Sequence, residues 1–140
     1  MRFFSALFSL LAVATTAVVA QTADIGAPAD MTEVPAGSSF TAMIQRPDTI
    51  SSSTEIAVVI GLLTCLEGCP TPAQEMGTIL YNGGFDPQFT TTPGTGAFPP
   101  HQNFTLTVPA NFPKGNAQMG VAHFFLLGVS FAILARKRSG

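Results

Sequence analysis

Gln102-Asn103-Phe104-Thr105-Leu106-Thr107-Val108 is the stretch whose pattern decides the fold. Phe104, Leu106 and Val108 occupy every second position, with Asn103, Thr105 and Thr107 between them. Side chains alternate across a β-strand, so this pattern predicts one buried face and one wet face, as in an antiparallel sheet. Ser39 to Gln45 repeats it, with Phe40, Ala42 and Ile44 on one face and Thr41, Met43 and Gln45 on the other. Ile56 to Leu63 is a continuous apolar run containing β-branched Ile56, Val58, Val59 and Ile60. It predicts a strand covered on both faces or placed at the centre of its sheet. Shorter strands are expected at Met31 to Val34 and at Thr78 to Tyr81.

The intervening segments carry turn chemistry: Pro35-Ala36-Gly37, Arg46-Pro47-Asp48, Asn82-Gly83-Gly84, and Pro109 through Gly115. No helical period and no internal repeat accompany them. About six short strands in this pattern predict an all-β fold, a small two-sheet sandwich of immunoglobulin-like or fibronectin-like kind. The connection from Asn82 to about Pro100 is too long for a simple hairpin, a length typical of functional or mobile segments.

At the N-terminus, Arg2 precedes an apolar run from Phe3 to Val19, and Val18-Val19-Ala20 stands before Gln21. This is the pattern of a signal peptide over 1–20, cleaved after Ala20. The run is short for a hydrocarbon layer of roughly 30 Å, which argues against a retained anchor. The chain is therefore expected to be secreted and extracellular, with residues 21–128 forming one sandwich ectodomain. Charged residues make up only 10% of the chain, and between Gln21 and Gly128 the cations are Arg46 and Lys114, against all eight carboxylates. Two separated cations cannot neutralise a run of phosphates, so nucleic acid and anionic membrane surfaces are poor partners.

An oxidising lumen would let Cys65 and Cys69 close a small disulfide loop, since the central Gly68 permits a tight turn. Metal binding needs two further ligands, and a thioredoxin-like site needs two intervening residues rather than three. No catalytic constellation stands out. Neither Ser38-Ser39 nor Ser51-Ser52-Ser53 lies in the sharp glycine-flanked turn of a serine nucleophile. The carboxylates are too scattered to nominate a glycosidase pair. His101 reads as a surface residue, and His123, inside an apolar strand, as a core or edge residue with a satisfied ring nitrogen. No enzyme, metal site or cofactor is expected. Asn103-Phe104-Thr105 is a glycosylation sequon with Asn103 on the wet face of its strand. Tyr81, Phe85, Phe89 and Phe98 bracket the long connection and are candidates for a binding surface, unless they fold back over the end of the sandwich.

Four stretches carry a family resemblance: PAGSSFTAMIQ (35–45), CPTPAQEMGTILYNGGFDPQ (69–88), NFTLTVPANFPKG (103–115) and AQMGVAHFFLLG (117–128). From Pro35 to Gly128 the chain resembles the fungal necrosis-inducing secreted protein 1 family of candidate effectors. The resemblance implies a secreted β-sandwich that acts on a host plant by binding a protein partner, with receptor-associated kinases as the partner class. After Gly128 the resemblance stops, and Val129 to Ala135 leads into Arg136-Lys137-Arg138. Residues 119–135 can be read as a membrane span with a cationic stop-transfer flank. Alternatively, residues 129–140 are translated intron, because Val129-Ser130 can be encoded by an intron-start consensus. Either reading leaves the sandwich without its last strand, and a chain with that open edge is expected to fold poorly or associate. The alternative functions are a single-pass membrane-anchored surface protein and an extracellular or cell-wall structural protein.

Overall fold

The structure, a computed structural model, describes residues 23–47, 53–90, 98–127 and 130–139. The signal peptide expected at 1–20 lies outside them. Seven strands follow in order: β1 (Asp24–Ala27), β2 (Ser39–Gln45), β3 (Ser53–Thr64), β4 (Thr78–Gly84), β5 (His101–Thr107), β6 (Ala117–Leu127) and β7 (Ser130–Ser139). The described residues contain no helix.

All pairings are antiparallel and build two sheets, β1-β2-β5 and β4-β3-β6-β7. In an immunoglobulin constant domain the fourth strand lies with the first sheet. Here β4 lies beside β3 in the second, the arrangement of fibronectin-type sandwiches. The period-two strands set the register. Phe40 opposes Leu106 and Ala42 opposes Phe104, so the apolar positions of β2 and β5 share one face. That face meets Val58 and Ile60 of β3 and Met119 and Val121 of β6 to form the core. Burying a side chain the size of Ile44 or Phe104 contributes roughly 1.5–3 kcal/mol, so the two facing rows hold the sheets together. The continuous apolar run becomes the long inner strand β3, paired to β4 on one side and β6 on the other.

Three expectations are corrected. Met31 to Val34 is not a strand: Thr32 N–H and hydroxyl both donate to the Ala29 carbonyl, and Met31 adopts φ 62°, so the chain turns there. The first strand is the shorter Asp24–Ala27. Second, the sandwich does not lack its last strand, because Ser130–Ser139 pairs with β6 from Leu127↔Ser130 to Gln118↔Ser139. The β6 edge is therefore closed, and the reason for expecting poor folding falls away. Third, residues 119–127 lie in β6 and residues 130–135 in β7 rather than in a helical span. Among the described residues no helix is long and apolar enough to cross a membrane.

Candidate functional site

The antiparallel registers sort the connections between two ends of the sandwich. The last residues of β2, β4 and β6 and the first of β3, β5 and β7 gather at one end, and the last of β1, β3 and β5 with the first of β2, β4 and β6 at the other. The first end carries the long loop and most of the aromatic candidates.

Those four aromatics separate into two pairs. Phe85 is only 3% exposed and packs against Phe104 and the His123 ring, so it belongs to the core and not to a surface. Turning inward after Gly84 brings its ring under the edge of β5. Tyr81 is half-buried, with its ring centroid 4.5 Å from that of Phe104 and its hydroxyl donating to the Gly84 carbonyl at 2.9 Å. Phe89 and Phe98, by contrast, are 62% and 44% exposed.

The described ends of the long connection are fastened to each other at His101. Gln88 and His101 exchange two backbone hydrogen bonds of 3.0 Å, forming an isolated bridge. A carbonyl can only accept, so His101 Nδ1 carries a hydrogen and donates to the Pro99 carbonyl at 2.9 Å. Its Nε2 then accepts from the Thr90 hydroxyl at 3.2 Å when the ring is neutral. His101 is thus buried, contrary to the surface placement expected for it, because both ring nitrogens are spent closing the loop base. Phe98 meets the same imidazole edge-on at 6.1 Å between centroids. The two exposed rings are therefore presented from one braced platform, which lowers the ordering cost of a contact made through them.

Behind this platform lies a polar cluster that the sequence did not disclose. Glu55 near the start of β3 accepts hydrogen bonds from His123 Nε2 of β6 and from the Ser53 hydroxyl, the latter at 2.7 Å. Arg46, just past β2, donates to Ser53 at 3.1 Å and stands 3.7 Å from the Glu55 carboxylate. The cluster thereby links the two sheets. Burial pushes the Glu55 carboxyl up, but the hydrogen bonds from His123 and Ser53 and the charges of His123 and Arg46 outweigh it. Its pKa lies below the ordinary glutamate value. Glu55 and His123 stand 68 positions apart, so only the register of β3 on β6 could have revealed the pair. The arrangement is not a nucleophile triad. Ser53 donates to the carboxylate rather than to the histidine, and His123 Nδ1 has no partner among the described residues. Among the described residues no group of three or more His, Cys, Asp or Glu side chains could hold a metal ion.

At the opposite end Cys65 and Cys69 are joined by a disulfide, with their Cα atoms 5.0 Å apart. Gly68 supplies the φ of 114° that this small loop needs, a value open to glycine and strained for other residues. The chain then folds back over β3 and β6. A Cβ on Gly61 would collide with the Met76 carbonyl, so glycine lets the flap lie against the sheet. Asn103 is exposed on β5, on the outer face that it shares with Met43 of β2.

Fold and surface define a class: a small two-sheet domain with an apolar core, one polar cluster linking its sheets and an exposed aromatic pair at one loop end. The chain belongs to the Nis1 family, whose model matches residues 18–136. The match runs past Gly128 into β7, so the family pattern does not stop where the resemblance had ended. Among curated proteins no sequence matches the chain.

Proposed function

We propose that this Nis1-family chain is an exported, non-enzymatic binding protein of the effector kind. It acts on a host plant, modulating immunity or cell death, by engaging a protein partner. Receptor-associated kinases are the partner class that the family resemblance implies. The observation that supports this reading is the outward presentation of Phe89 and Phe98 from the His101-braced loop base. Exposed aromatic rings on a pre-ordered support are the usual anchors of a protein interface. A glycan on Asn103 would lie on the outer face of the β1-β2-β5 sheet, clear of the core.

Two measurements test this reading. Fractionation of a producing culture should place the protein in the medium with Gln21 as its first residue. Recovery only in the membrane fraction would instead favour a single-pass surface protein. Titration of purified receptor-associated kinase domains onto the chain should give saturable binding. No binding up to ~0.1 mM, where association is worth only about 5.5 kcal/mol, would remove the proposed partner class.

A further inference from the structure

β4 is an outer strand of its sheet, and among the described residues only β3 gives it backbone hydrogen bonds. Its sequence, Thr78-Ile79-Leu80-Tyr81-Asn82-Gly83-Gly84, contains no charge and no proline, and Ile79 is 48% exposed. A bulge at Leu80 leaves Tyr81 to Gly84 in unbroken register with β3. Two of the other outer strands are short or charged, and β5 is covered at its first residue alone. β1 has four residues and runs into Pro28, β7 contains Arg136, Lys137 and Arg138, and the first residue of β5 is bridged by Gln88. Short, charged or covered edges resist the addition of another strand; β4 is neither short nor charged, and of its outward backbone groups the Gly84 carbonyl is already taken by the Tyr81 hydroxyl.

An open cleft of about 600 Å³ adjoins the first residue of β4, with Leu62, Thr64, Glu75, Thr78, Phe112 and Pro113 in its lining. Glu75 is the one charged side chain there and is exposed.

We propose that β4 and this cleft together take an extended, basic peptide segment of a partner protein. The peptide backbone adds a strand beside β4, the recognition mode in which main-chain hydrogen bonds give affinity and alternate side chains give specificity. A Lys or Arg of the segment meets Glu75, and an apolar neighbour packs against Leu62 and Phe112. Pairing of β4 with β4 of a second copy fits less well, since β4 itself carries no cation to offer Glu75.

The test is selection of short randomised peptides displayed on phage against the chain, followed by mapping of the amide resonances that shift on binding. Peptides rich in Lys or Arg between β-branched residues should be enriched, and the amides from Thr78 to Gly84 should shift. Glu75→Lys should weaken the selected peptides at least about tenfold and redirect a fresh selection toward Asp and Glu. Unchanged thermal unfolding of that variant confirms that its fold is intact. The proposal is overturned by a selection that yields no binders, by sequences indifferent to Glu75→Lys, or by shifts confined to the Phe89 and Phe98 end. Self-association that protects the β4 amides would overturn it too, because the edge would then belong to a second copy. Since Phe89 and Phe98 lie at the other end, their replacement leaves this peptide binding unchanged, and the two surfaces can fail separately.

Discussion

Glu55 shows how one residue ties stability to pH. Its folded pKa is below the unfolded value, so its contribution is present above the unfolded pKa of 4.5 and lost as pH falls through the folded value. Wild-type unfolding free energy, measured in urea between neutral pH and strongly acidic pH, should therefore decline more steeply than that of Glu55→Gln. At neutral pH the substitution should cost about 3 kcal/mol, because Arg46 and His123 lose the carboxylate between them. Parallel acid profiles for the two proteins would show that the cluster carries no linkage. Gly61 makes a second residue-level prediction. Its replacement by Ala should cost about 1–3 kcal/mol, since the new methyl group meets the Met76 backbone and the flap must shift. Chemical denaturation of Gly61→Ala beside the parent measures this directly.

At the scale of elements, β7 and the disulfide flap carry the predictions. A chain ending at residue 129 exposes the whole outer edge of β6, with which the 10-residue β7 pairs. It should lose cooperative unfolding and self-associate, whereas the chain through residue 140 should melt cooperatively as a single species. Scanning calorimetry with sedimentation velocity separates the two outcomes. Replacing Cys65 and Cys69 by Ser should lower stability by about 2 kcal/mol, the chain-entropy value for so short a loop. Faster amide exchange should be confined to the flap. The same elements show where the sequence could be read. β2, β3 and β5 were legible because a half-buried or central strand writes its burial into a period of two or an apolar run. β1 was not, because Asp24, Ile25, Gly26 and Ala27 are too few to show a period. β7 was obscured because its apolar residues run into three cations, a composition that equally describes a membrane flank. Phe85 looked like a loop residue after two glycines, and only the closure of the sandwich over Phe104 turns it inward.

For the molecule as a whole, the sandwich holds its polar cluster inside and sets two different surfaces at opposite ends. The aromatic end is braced by His101 and backed by the charges that link the sheets. The disulfide end offers an open strand and an acidic cleft. With two separated cations between Gln21 and Gly128, recognition at the aromatic end depends on apolar contact more than on charge. Binding there should weaken little as salt is raised. This separation of surfaces was only partly visible in advance: the aromatics around the long connection could be nominated, but their division into core and surface required the fold. The most direct test of the binding account compares affinity for a receptor-associated kinase domain between the parent chain and a Phe89→Ala, Phe98→Ala double variant. Equal thermal stability and an affinity at least about tenfold lower in the variant is the predicted result. Equal affinity in the two proteins would contradict the account and move the interface elsewhere on the molecule.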